Sequence, residues 1–166
     1  MKILEIKKYP DSILRQKCEP VEAVTSKEKR LFESMLLALR NFYGIGLAAP
    51  QIGESCRLIV ADVEGKIIKL ANPEVIKVDG KDKMAEGCLS IPDATVEIER
   101  PYSVIVKGLN EKGKTVEIKA EGLLARVIQH EIDHLNGKLI IDYLSLLQKM
   151  MLFKHKIKRK VPGRKI

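Results

Sequence analysis

Residues 122–137 read GLLARVIQHEIDHLNG. Apolar side chains recur through this stretch at helical spacing, no proline interrupts it, and Gly137 stands where a helix commonly ends in a left-handed residue. The spacing therefore predicts a helix from Gly122 to Asn136 closed by Gly137. On a wheel of about 100° per residue, Leu123, Val127 and His134 fall within about 60° of His130. Leu124 and Glu131 follow near 100–120°, and Ile128 and Ile132 complete the apolar arc. The two histidines thus occupy one margin of a face that must be buried.

What such a helix packs against lies upstream. Short β-branched runs occupy 57–63, 66–72, 74–79, 95–99, 102–109 and 114–120. Glu64-Gly65, Asp79-Gly80 and Asn110 to Gly113 separate several of them as hairpin turns would. Before the strands, Phe32, Met35, Leu36, Leu39 and Phe42 mark a helix from Ser26 to about Phe42, with Ser26 available as its N-cap. After the HEIDH stretch, a further helix is expected from about Tyr143 toward Arg159. The order predicts an α+β class: a single domain with antiparallel or mixed sheets, an N-terminal helix, a central helix carrying HEIDH and a C-terminal helix. With 166 residues the chain suits one domain, 1–166.

Composition narrows the class further. Hydrophobic residues at 45% and charged residues at 31% exclude a disordered or fibrous chain. The amino terminus MKILEIKKYPDSIL lacks the long apolar core of a signal peptide, and no stretch reaches the roughly 18 apolar residues of a membrane span. Three scattered cysteines, Cys18, Cys56 and Cys88, fit a disulfide framework poorly, so a reducing, cytoplasmic compartment is expected, with no membrane. The net charge of +8 is a carboxy-terminal feature: eight Lys or Arg lie between Lys149 and Lys165, and no acid follows Asp142. This basic extension from about 149 is either a solvated end or a surface for a phosphate-bearing partner.

The chemistry begins with His130-Glu131-Ile132-Asp133-His134. Residues four apart on a helix share a face, so both imidazoles can bind one metal ion while Glu131 stands beside it as a general base. A hydrolytic metal site takes three protein ligands and keeps one position for water. The third ligand is not a downstream His at the spacing of the metzincins, because Ile140 stands there, nor a downstream Glu, because Glu131 is the last in the chain. Asp142, His155 and the cysteines remain. Cys88 is the best of these, lying in Glu86-Gly87-Cys88-Leu89-Ser90 just before Pro92, a segment able to aim a thiolate. Cys18 and Cys56 read as small buried apolar residues. A Cys88 nucleophile with a His base is the rival use of the thiol, but it leaves the paired histidines and Glu131 without a task. In the segment GIGLAAPQ, residues 44–51, small residues allow close backbone approach and the Gln51 amide can donate to a developing oxyanion.

GIGLAAPQ (44–51), EGCLS (86–90) and QHEIDHLNG (129–137), in that order and in a chain of this length, resemble the three signatures of the peptide deformylases. The resemblance runs from near the first residue to about Tyr143. It implies metal binding by Cys88, His130 and His134, catalysis by Glu131, and oxyanion contacts from Gln51 and the Leu89 N–H. It implies Fe²⁺ as the physiological metal, with Zn²⁺, Ni²⁺ or Co²⁺ as substitutes. The substrates implied are formyl-methionyl nascent peptides, and the methionine pocket falls on Ile45, Gly46, Leu123, Arg126 and Val127. Arg126 is unusual for a pocket wall, and its charged end is expected at the rim with its stem along the pocket. The family also implies docking of the basic segment near the ribosomal exit. Two other readings use the same residues: a different small metallohydrolase, or a binding protein with a structural zinc and a basic nucleic-acid tail.

Overall fold

The computed structural model describes residues 4–159. Three helices, α1 (Ser26–Asn41), α2 (Gly122–Leu135) and α3 (Leu146–Arg159), accompany seven strands: β1 (Gly46–Ala48), β2 (Leu58–Val63), β3 (Lys66–Asp79), β4 (Asp82–Cys88), β5 (Ile91–Arg100), β6 (Ser103–Leu109) and β7 (Thr115–Glu121). The strands form a five-stranded sheet, β1-β2-β3-β6-β7, and a separate hairpin, β4-β5, with every strand pair antiparallel. The expected α+β architecture is the one found.

Turn chemistry sets most of this register. Glu64 (φ 52°) and Gly65 (φ 80°) take the two left-handed positions of a tight turn, so Val63 faces Lys66. Asn110 accepts from the backbone of Lys112 and Lys114 through its side chain and brings Leu109 opposite Thr115. The runs at 66–72 and 74–79 are one bent strand instead of two, because the register shifts between Ala71 and Glu74. Pro73, which has no N–H for a ladder, sits in that bulge, and Asn72 anchors it by bonding both the N–H and the C=O of Val21. Asp79-Gly80 is not a hairpin turn: there the chain leaves the large sheet, and β4 pairs with β5.

The large sheet is covered on both faces. Along β2, Leu58 and Val60 join Phe32, Met35, Leu36 and Leu39 of α1, whereas Ile59, Ala61 and Val63 join Leu124, Ala125, Val127, Ile128 and Leu135 of α2. Each such fully buried side chain stabilises by roughly 1.5–3 kcal/mol. A third core lies under the small hairpin, where Ile91, Val96 and Ile98 meet Leu14 and Leu139 to Ile141. The cap of α1 is Thr25, one residue before the expected Ser26: its hydroxyl accepts from Lys27 N–H, and Glu28 returns to the Thr25 N–H at 2.8 Å. Tyr143 ends a 3-10 turn, and α3 starts later, at Leu146, with Ser145 and Gln148 bonding each other's backbone N–H. Residues 160–166 of the basic segment and the side chain of His155 lie outside the described residues. Among the described residues no helix is long and apolar enough to cross a membrane.

Candidate metal centre

Alternation along β4 points Glu86 and Cys88 to the same side, toward α2. On α2, His130 and His134 stand one turn apart with ring centroids separated by 5.0 Å. The Cys88 Sγ lies 3.3 Å from His134 Nε2, and the ligating atoms of Cys88, His130 and His134 all lie within 4.8 Å of one another. The site is therefore built from the hairpin on one side and the helix of the large sheet on the other. Of the other candidate ligands, Asp142 pairs with Arg15 at 2.5 Å and accepts from the Leu139 N–H. Cys18 is buried in the core under α2, and Cys56 packs partly buried against the α1 core; burial raises both thiols, Cys56 to about 11.

Glu86 is the residue that sequence reasoning missed. Its carboxylate accepts from His130 Nδ1 at 2.9 Å, from Arg100 Nε at 2.6 Å and Nη2 at 3.0 Å, and from Arg126 Nη1 at 2.6 Å. Burial alone would raise its pKa, but the bonds to His130 and Arg100 outweigh it and hold the carboxyl at about 2. With Nδ1 turned to Glu86, His130 presents its other ring nitrogen toward Cys88 and His134. Burial disfavours a charged His130, yet bonds to Cys88 and Glu86 raise it to about 10; the same set of negative partners favours a bound cation. His134 is buried and near His130 and Arg100, which push its pKa well below the usual range and leave it a neutral donor. Its Nδ1 has no hydrogen-bond partner.

Glu131 sits against these ligands, 3% exposed, with Oε2 unpartnered. Burial raises its carboxyl to about 7, against the opposing pull of His130 and Arg100, so it can both take and give a proton near neutrality. Gly46 is required here: a Cβ at that position would stand 2.3 Å from Glu131 Oε1 and 2.6 Å from a Val127 methyl. Gln51, 1% exposed in the short turn after β1, is oriented by the Ala48 N–H, which donates to its Oε1 at 2.8 Å. The amide Nε2 consequently faces the site, 3.2 Å from Ser90 Oγ and 3.7 Å from Cys88 Sγ. The Leu89 carbonyl accepts from Lys8 Nζ, which ties the turn after Cys88 to the amino-terminal segment.

A cavity of about 550 Å³ opens over this group, lined by Ile45, Gly46, Leu123, Arg126 and Val127 as well as by Gln51, Cys88, Leu89, His130 and Glu131. The expected pocket residues are thus together. Arg126 differs from expectation in one respect: its guanidinium is at no rim. It is 4% exposed and turned away into Glu86, the Ile98 carbonyl at 2.9 Å and Asp82, whose carbonyl and carboxylate accept at 2.8 and 3.1 Å. Counter-charges inside the protein hold a cation that water would otherwise hold. Behind it, Arg100 bonds Asp133 at 2.9 Å, and Tyr143 donates to the same Asp133 oxygen at 2.7 Å. One signal for Glu86 was available, since a residue two before Cys88 on a strand faces the same way. Arg100 and Tyr143 carried none.

One thiol and two imidazoles, converging and braced from behind, fit a divalent transition metal. Among the described residues the group has three members, the number of a hydrolytic site instead of the four of a closed structural one.

Comparison with known proteins places the chain in a family. The sequence profile of the polypeptide deformylase family matches residues 3–150. A peptide deformylase of Thermodesulfovibrio yellowstonii is 48% identical over 165 residues, 96% of this chain and 99% of that protein. One from Halothermothrix orenii is 52% identical over 144 residues, 86% of this chain and 94% of that protein. The crystal structure of a peptide deformylase from Legionella pneumophila superposes with a TM-score of 0.89 at 43% identity, covering 99% of this chain and all of that one.

Proposed function

The chain belongs to the polypeptide deformylase family, and from that premise we propose how its own residues remove the formyl group from the N terminus of newly made polypeptides. Cys88, His130 and His134 hold one divalent ion, which when bound supplies Lewis acidity and makes water a competent nucleophile near neutral pH. Glu131 accepts a proton from the attacking water and delivers it to the departing nitrogen as the formyl C–N bond breaks. Formate and a free amino terminus leave. Gln51 Nε2 and the Leu89 N–H donate to the formyl oxygen as charge grows on it, each contributing roughly 2.7–4 kcal/mol in comparable sites. Ile45, Gly46, Leu123, Val127 and the stem of Arg126 receive the methionine side chain.

We assign Fe²⁺ as the physiological metal on the family relation, with Zn²⁺, Ni²⁺ or Co²⁺ as substitutes that a thiolate with two imidazoles also accepts. The domain spans 1–166 and works in the cytoplasm. Its basic segment from about 149 docks on the ribosome, a reading supported by the charge run and checked by ribosome co-sedimentation after removal of 154–166. A small metallopeptidase would use the same ligands, but the family relation favours the formamide substrate.

The observation carrying this reading is the buried Glu131 carboxylate, its Oε2 unpartnered, beside the converging Cys88, His130 and His134. A base and a ligand fail differently. Glu131→Ala should keep about one metal per chain while kcat falls roughly 10²–10⁴-fold. Cys88→Ala should lose metal affinity and activity together. Loss of metal from the first variant, or full metal and rate in the second, would overturn the assignment; metal stoichiometry and formate release decide.

A further inference from the structure

A second cavity, of about 460 Å³, adjoins the first, and Leu123 lines both. Its other walls include Val63, Glu64 and Lys66 at the β2–β3 turn and Lys119 and Glu121 at the end of β7. The proposed chemistry uses none of these groups. Leu123 is 39% exposed, so it forms an accessible ridge between the cavities instead of a partition in the core.

Two rulers place this cavity on the path of a substrate. Leu123 precedes His130 by seven residues on α2, which at 1.5 Å per residue is roughly 10 Å along the helix. An extended peptide advances about 3.4 Å per residue, so roughly three residues cover that span. The large sheet supplies the second measure. Gly46, where an added Cβ would stand 2.3 Å from Glu131 Oε1, faces Ala61 across the β1–β2 ladder, and the Ile45 carbonyl accepts from the Asp62 N–H at 3.0 Å. The same register carried outward sets Gly44 level with Val63, whose strand ends at the second cavity. Along both elements, the direction away from Glu131 leads there.

We propose that the second cavity receives the fourth and following residues of the formylated chain, passing over Leu123. The inference rests on the deformylase reading and deepens it by naming an extended peptide site. The lining carries both signs of charge: Lys119 pairs with Glu121 at 2.9 Å, and Glu64 and Lys66 flank the turn. It accepts polar side chains of either sign, as a site for many different sequences must.

The test compares formyl-Met-Ala-Ala with two hexapeptides, formyl-Met-Ala-Ala-Asp-Asp-Ala and formyl-Met-Ala-Ala-Lys-Lys-Ala, on the metal-loaded enzyme. Wild type should turn over both hexapeptides with kcat/KM at least about threefold above the tripeptide, the scale of a few partly exposed contacts. Lys66→Glu with Lys119→Glu makes the charged lining wholly acidic; it should leave the tripeptide rate unchanged and favour the Lys hexapeptide over the Asp one by about threefold or more at low salt. Equal rates for all three peptides in wild type, or no charge discrimination by the variant, would overturn the extended site. Absence of formate from every peptide would instead sink the deformylase reading, and the inference with it.

Discussion

Replacing Glu86 by Gln separates a carboxylate that braces the site from one that merely fills space. The change keeps the shape, but it removes the charge shared by Arg100, Arg126 and His130 and turns amide hydrogens toward their N–H groups. Breaking a buried ion pair from one side costs about 3–5 kcal/mol. Arg100 keeps Asp133 at 2.9 Å and Arg126 keeps Asp82 at 3.1 Å, so the lower end, about 3 kcal/mol, applies. In a domain of this length that lowers Tm by about 6–12 °C, at roughly 2–4 °C per kcal/mol. His130 also loses the partner that fixes its ring, a change that typically weakens metal binding about 10–100-fold. Glu33→Gln is the control: its ion pair with Lys69 spans 2.5 Å, but Glu33 is 59% exposed, and its loss should cost about 0–1 kcal/mol. Thermal unfolding with and without chelator, together with competition against a metal indicator, reads both effects. A Tm within about 2 °C of wild type with unchanged metal affinity would refute the argument, since this cluster would then brace nothing.

Gly46→Ala puts a methyl 2.3 Å from Glu131 Oε1, so kcat should fall about 100-fold with metal content retained; full activity would mean that Glu131 need not hold its position. Asp142→Asn tests the acid limb. Desolvation opposes ionisation of Asp142, but its bonds with Arg15 and the Leu139 N–H hold the carboxyl below its ordinary 3.8, so its stabilisation is full above that value and lost as pH falls through the lower folded one. The urea-midpoint gap between wild type and variant should therefore close in strong acid, and a gap constant from pH 7 downward contradicts the pairing. Formyl-Met peptides should exceed formyl-Asp peptides at least about tenfold in kcat/KM, because the pocket walls Ile45, Leu123 and Val127 are apolar; equal rates would reject the pocket.

How much was legible depended on how local the cause was. His130 and His134 share one face by helical spacing alone, and the turns at Glu64-Gly65 and Asn110 to Gly113 are fixed by their own residues. Strand β4 was not visible, because Asp82-Lys83-Met84-Ala85-Glu86 carries no apolar alternation; it is held by β5 and by the ion cluster behind it. Nor was β1, three residues long and beginning with a glycine. By residue type Ser26 is the better cap, and only Glu28, three residues after Thr25, singles out Thr25. Arg126 was expected at the rim because a charged end beside an apolar pocket wall ordinarily reaches for water; Glu86, forty residues away, holds it inside instead.

The hairpin bearing Cys88 shares no ladder with the sheet that backs the two histidines, and its underside is closed from both ends of the chain, by Leu14 and by Leu139, Ile140 and Ile141. During the chain's own synthesis the thiol emerges well before His130 and His134, and Leu139 to Ile141, which complete the packing under its hairpin, emerge later still. Completion of the centre therefore requires Ile141, seven residues after His134, as well as the histidines themselves. Until then the hairpin lacks part of the packing that seats it, and closure of the three-residue group is coupled to the folding of segments on both sides of it.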